Sequence, residues 1–541
     1  MATFDALKTS WTADDVQHFA RRAGFGVGPE KAAQLAAQAP GAVVTAWVDG
    51  TASMTAFNAA LPVADVADLP GYGSAPDEWA PHPFHLNTQK DARLQDAQAS
   101  WAWRMQYSPN PFREKVALFW HNFFATGLKK VEVVPLMLKQ IELFRTLGTG
   151  AFGDLLLAVS QDPAMMIWLD TVQNKVEKSG DIPNENYARE VLELYSLGID
   201  NGYSQQDITE LAKAFTGWDY IGRDFPDPEN PYYFNDAEFI VFRGQANPYP
   251  THPWLQGYTS LPNQRKTGSF TLFGVTLDLG AASHYGADAL ALILSQRGTQ
   301  CAEYLAKRIL LGFATAEPTS AALQDFRDLI LARQFRLGEV FKALFTSAWF
   351  YNPEHRFALV EGPTAWSVRG AKALMPGLDA AMAARASDPT GLPRFSAWFD
   401  FVDWDASGFF AMGQDLLDPK GPNGWKEHAG WLNADTYRHR TRTAWAIAGR
   451  EDRGEDHLKQ VRFLFDTDWK GWFPTPPASA TAVFDRLAAL LQPAPIPTAL
   501  RDAWLARLFS GPFAWDATAA TEAKVRRLAF LILCSPQAQQ H

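Results

Sequence analysis

The sequence predicts a mainly α-helical protein: a large multi-helix domain with long irregular loops and a small β-hairpin insertion. Three observations lead there. Apolar residues recur at helical spacing along most of the 541 residues. Helix-start signals precede several such runs, with Thr12 three residues before Asp15 and Ser204 three before Asp207. Strand-like alternation is confined to short stretches, EFIVF and SFTLF, in and beside a segment at 219–270 that is rich in Pro and Tyr. The chain is read as one domain over 1–541, with possible lobes at 1–218 and 271–541 flanking the insertion at 219–270.

Taken in order, WTADDVQHFARRA at 11–23 sets Val16, Phe19, Ala20 and Ala23 on one side of a helix that stops at Gly24, Gly26 and Gly28. Those glycines follow a helix rather than a strand, which disfavours a phosphate loop. A second helix is expected over 29–49, and a surface loop over 61–88, where Pro, Gly and Asp cluster. A helix over 94–107 carries Trp101 and Trp103. The next starts at Pro111 and turns Val116, Phe119, Trp120 and Phe123 inward, with His121 and Asn122 beside them. A His among aromatic core positions is ordinarily a hydrogen-bonded core residue unless it faces acids. Beyond 270 come four helical runs, a Gly/Pro/Trp-rich surface loop at 413–433, a helix near 437–449 and two or three more in 480–541.

Composition narrows the functional classes. A formal net charge of -10 gives no basic footprint, which argues against a nucleic-acid partner. Two cysteines, Cys301 and Cys534, exclude a disulfide framework and show no metal-ligand spacing. The first residues, MATFDALKTSW, lack a basic segment followed by an apolar one, and no run of about 18 apolar residues occurs. A soluble cytoplasmic chain without a transmembrane segment is therefore expected. The 20 Trp and 37 Phe are high, and such rings serve either as core or as platforms for flat ligands.

The densest polar pattern lies in NENYAREVLELYSLG at 184–198. Pro183 sets an extended approach, Asn184 is the expected N-cap and Gly198 the left-handed stop. At about 100° per residue, Asn186, Arg189, Glu190 and Glu193 share one arc, and Tyr187, Val191, Leu194 and Tyr195 fill the other. The run AMMIWLD ahead of this helix delivers Asp170 and Asn174. These pieces could line one cleft, although a solvated surface helix produces the same stripe.

The chain resembles a bacterial family known as domain of unknown function 1800 (DUF1800). The resemblance rests on HFARRAGFG, FREKVALFWHNFFAT, DPAMMIWLD, PNENYARE with ELYSLG, AFTGW, FTSAWFYN, and the late MGQ, NGW and WLN. It implies a mostly helical fold, frequent export and genetic association with a sulfatase-like protein, and it supplies no reaction and no cofactor. Where the family pattern resembles W-H-N-H-F, this chain has Phe123 in place of the second His. The resemblance carries Asn184, Glu185, Asn186, Arg189, Glu190 and Glu193 as a block, together with His121, Asp170 and Asn174, which favours a polar site over a merely solvated face.

Three functions are weighed. The first is a hydrolase in which Glu190 and Glu193 are paired carboxylates, Arg189 orients a charge, His121 shuttles a proton and Asp170 completes the site. Asn122, Asn174, Asn184 and Asn186 would bind, and Trp425 and Trp431 would stack glycan-like substrates. The second is a metal-dependent helical enzyme using Glu190, Glu193, Asp170 and His121, although the Glu-x-x-His spacing of di-iron bundles is missing. The third is a binding or assembly protein whose polar motifs are structural.

Overall fold

Local capping chemistry sets the first helix, Ala13–Arg22. The Thr12 hydroxyl accepts from the Asp15 N–H while the Asp15 carboxylate accepts from the Thr12 N–H. The computed structural model describes residues 3–54, 97–98, 101–132, 134–176, 178, 180–220, 258–260, 266–278, 285–374, 409–449, 469–516 and 518–541. The expected loop at 61–88 and the EFIVF run lie outside these residues. Within them the protein is mainly helical, and the strands form two antiparallel pairs, Trp218–Tyr220 with Tyr258–Ser260 and Ser269–Leu272 with Val275–Asp278. No helix among the described residues is long and apolar enough to cross a membrane.

The surplus of rings is core. Phe112, from the helix Pro111–Phe123, meets Phe313, Phe341 and Phe345 from the helices Gly298–Phe313 and Leu337–Thr346 at centroid distances of 5.1–6.1 Å, mostly edge to face. Trp120 donates its indole N–H to the Gly148 carbonyl at 2.9 Å and packs on Phe119 and Phe124. The same helix buries Glu114 between Arg104 and Arg145, whose Nε atoms lie 3.1 and 2.8 Å from its two oxygens.

Four expectations change. The helix expected over 29–49 is two, Pro29–Ala36 and Pro40–Asp49. Pro40 has no N–H to give and forces Ala39 into extended backbone, so the chain breaks and restarts with Pro at a first-turn position. The long run from 284 likewise divides into Tyr285–Gln296 and Gly298–Phe313. The motif helix is shorter than 184–198, running Asn186–Glu193 and closing through wide turns in which the Tyr195 and Leu197 N–H groups reach back to the Glu190 and Leu192 carbonyls. Finally, the 413–433 loop is not a surface loop. Gln414, Leu416, Leu417, Asp418, Trp425 and Trp431 are buried, and the loop is tied down by Gln98 to the Leu416 carbonyl and by Asp418 to Lys129.

Candidate functional site

The site is built around Asn186–Glu193, and its N-terminal end is fixed by asparagines. Asn174, buried, donates to the Ala212 carbonyl at 2.8 Å and accepts from the Asn184 N–H at 2.8 Å, while its own carbonyl accepts from Gly217. Asn184 is not the N-cap residue; that position is Glu185. The Asn184 side chain instead accepts from the Asn186 N–H at 2.9 Å, a local turn of the kind asparagine favours. Asn186 then donates to the Leu169 carbonyl and to Asp170. Asp170 sits at φ 60 and is paired with Lys130 at 2.8 Å. These four residues therefore form a scaffold under the start of the helix.

Along the helix three carboxylates have unequal partners. Glu185 accepts from Thr209, Gln205 and Arg189, and these hydrogen bonds, Thr209 foremost, hold its pKa below the usual carboxylate range. Glu193 accepts from Arg189 at 3.3 Å and from the Tyr203 hydroxyl. Glu190 has no hydrogen-bond partner for its carboxyl among the described residues. Burial, and then the neighbouring Glu193, raise its pKa, with Arg189 opposing. Close by, the buried Tyr195 hydroxyl is unpartnered and feels the Glu190 charge. Across from it, Tyr304 donates to the Leu194 carbonyl at 2.8 Å. Gly198, at φ +92, lets this ring approach: a Cβ there would stand 2.9 Å from Tyr304 Cδ2.

His121 is elsewhere and cannot be the proton shuttle. Its Nε2 accepts from the Leu417 N–H at 3.1 Å, and its ring meets Trp101 and Trp425 edge to face. Complete burial pulls its pKa to about 3, so the imidazole is neutral at ordinary pH. Asn122, next to it, clamps the late loop rather than a ligand, accepting from the Trp425 N–H and donating to Glu427. The indoles of Trp425 and Trp431 are only 7% and 6% exposed, which leaves no open stacking face. Asp170 bonds Asn186 and Lys130, with no hydrogen bond to Glu190 or Glu193, and among the described residues no group of three or more His, Cys, Asp or Glu is arranged to hold a metal.

Sequence reasoning missed Tyr195, Tyr203 and Tyr304 as parts of this site. Glu185 stood inside the motif and was legible there. Tyr195 was assigned to the core by its helical position, and only its orphaned hydroxyl marks it. Tyr304 comes from a helix more than a hundred residues later and gave no local signal.

Fold and site together define a mainly helical protein with a half-buried carboxylate cluster on a short central helix. Residues 18–540 match the family model described as "Protein of unknown function (DUF1800)", and the chain belongs to that family. Neither the curated proteins nor the solved structures gave a match.

Proposed function

We propose that the protein is a hydrolase in which Glu190 is the proton-transferring carboxyl. The observation that carries this reading is the asymmetry among the three acids of the motif. Glu185 and Glu193 are occupied by Arg189 and hydroxyl or amide donors, whereas Glu190 is half-buried, unpartnered and shifted toward its protonated form. A carboxylic acid kept protonated nearer neutral pH can give its proton to a leaving group, and an adjacent carboxylate held by a guanidinium can stabilise developing positive charge. Asp170 and the three asparagines hold the helix start and so position the acid. A glycan-like substrate loses its main support because Trp425 and Trp431 are covered.

The cytoplasmic placement and the sulfatase-like partner belong to the same proposal. The partner is supported by the family resemblance alone. The deciding experiment compares wild type with Glu190→Gln against chromogenic esters, glycosides, phosphate esters and peptides. Wild type should turn over one class, and the isosteric variant should melt normally and lose about 10²-fold or more in kcat. An unchanged kcat in Glu190→Gln, or no turnover of any class by wild type, sinks the reading.

A further inference from the structure

The HFARRAGFG motif plays no part in the acidic site, yet its arginines are among the most deeply buried charges of the described residues. Arg21 and Arg22 end the first helix and are 3% and 0% exposed. Three further buried cations from distant segments share with them the field of one carboxylate: Lys115 and two arginines, Arg369 from the helix Pro363–Leu374 and Arg440 from the helix Ala434–Ala448. Gly26 makes the approach possible. It holds φ +73, and a Cβ there would sit 3.2 Å from Arg369 Cγ. Arg21 and Gly26 both adjoin the Gln492 amide oxygen, and Lys115 lies over the Phe25 ring at 5.2 Å.

Against these five cations stands one carboxylate common to them all, Glu361, fully buried; the exposed Asp14 also acts on Arg21, where Arg356 opposes it. Arg369 occupies its Oε2 at 2.8 Å, and Arg440 takes the Glu361 main-chain carbonyl at 2.7 Å. The other carboxylate oxygen has no hydrogen bond; the His541 ring nitrogen Nδ1 stands 3.8 Å away. Arg22 spends one N–H on the His355 carbonyl at 2.7 Å, and its Nε and Nη1 have no partner. The Arg21 and Arg440 Nε groups are orphaned as well. Orphaned buried donors are rare, and water could satisfy their hydrogen bonds. Water cannot balance charge. Guanidinium groups do not give up their protons in proteins, and uncompensated buried charge costs several kcal/mol per ion on the order of magnitude found for desolvated pairs.

We infer that this centre holds a tetrahedral oxyanion, phosphate or sulfate, free or as the end group of a small ester, seated on the unpartnered Nε and Nη1 edge of Arg22 between Arg21 and Lys115. The planar fork of Arg22 matches two oxyanion oxygens at once. Burial, together with mutual repulsion, draws Lys115 down to about 8 and Arg21 to about 9. A bound anion relieves that repulsion. It also links segments far apart in the chain, because the charge of Arg22 acts on both Lys115 and His428 of the late loop.

The test uses the full chain purified in chloride buffer. Released anion is measured after unfolding, before and after acid hydrolysis, and melting temperature is followed on adding sodium phosphate or sulfate against chloride at equal ionic strength. The expected result is about one equivalent of phosphate or sulfate per chain, or a saturable rise of a few degrees that chloride does not reproduce. Anion found before hydrolysis identifies the free ion, and anion found only afterwards identifies an ester; both support the inference. Folded Arg22→Met or Lys115→Met should lose the equivalent and shift the phosphate midpoint about tenfold or more. Wild type with neither released anion nor a response beyond chloride overturns the inference, independently of how either variant folds. So does a folded Arg22→Met that binds phosphate as wild type does.

Discussion

Two charged regions of this protein solve the same problem under different dielectric conditions. On Asn186–Glu193, Arg189 is flanked by Glu185 and Glu193, with side chains 38%, 30% and 23% exposed. Around Arg22 and Arg369, by contrast, the side chains are buried from bulk solvent and cations outnumber the shared acid. In the first region solvent screens the charges, so the arrangement can leave Glu190 free without a large penalty. In the second, every missing partner is felt at full strength. On the two proposals made above, the difference separates their roles: the half-wet helix would exchange protons with a ligand, and the dry centre would hold one ion and four chain segments together.

The largest expected effect breaks the dry region. Arg369→Met leaves the Glu361 carboxylate, the Leu491 carbonyl and the Ala538 carbonyl without their donor. Urea unfolding should show a loss of about 3–5 kcal/mol, the range for removing one partner of a buried pair. A loss below about 1 kcal/mol would mean that water reaches this centre, and the contrast between the two regions would fail.

An intermediate effect comes from a buried acid with no cation bonded to it. Asp162 caps the helix Pro163–Trp168, accepting from Met165 N–H and from the Gln140 amide through one oxygen, while its other oxygen is unpartnered. Burial raises its pKa to about 6, against a partial lowering by Lys139. A carboxyl with a raised folded pKa binds its proton more tightly when folded. Its contribution is therefore fully present below the unfolded value near 4 and is lost as pH rises through about 6. Asp162→Asn keeps an accepting oxygen and cannot ionise. It should be more stable than wild type at pH 8 by about 1–3 kcal/mol and lose that advantage by about pH 4, as read from denaturant melts at the two pH values. A variant weaker than wild type at pH 8 but level with it at pH 4 would show that the charge itself is needed by the cap.

How much of this was legible in the sequence follows the distance over which each feature is determined. The capping boxes at Thr12 and Ser204 and the helix that starts at Pro111 depend on residues within four positions and were read correctly. Pro40 was a local signal too, and giving it too little weight merged two helices into one. The Asn174–Asn184–Asn186–Asp170 grouping was legible because its members fall within 17 residues. The fate of His121, Trp425 and Trp431 was not: the loop that covers His121 lies almost three hundred residues later, and a Gly/Pro-rich stretch gives no periodicity to say which way its indoles face. The cationic centre was hidden for the same reason. It assembles Arg22, Lys115, Glu361, Arg369 and Arg440 from segments that each look like an ordinary amphipathic helix or its flank.

The smallest expected effect is also the sharpest check on the wet side of the comparison. Arg189 and Glu193 stand four residues apart on one helix at 3.3 Å, a geometry that looks like a strong ion pair. Both side chains are reached by water, and Glu185 and Gln205 compete for the same guanidinium, so losing one partner leaves Arg189 still bonded to the others. A double-mutant cycle of Arg189→Met and Glu193→Gln should give a coupling of only about 0.3–0.5 kcal/mol in urea melts at low salt, shrinking further in about 0.5 M NaCl. Added NaCl should leave the cost of Arg369→Met nearly untouched, because a buried pair is screened far less by bulk salt than an exposed one. A salt-insensitive coupling above about 2 kcal/mol at Arg189 would place this helix in the same dry regime as Glu361, and Glu190 would then need a buried proton partner instead of standing ready to exchange with a substrate.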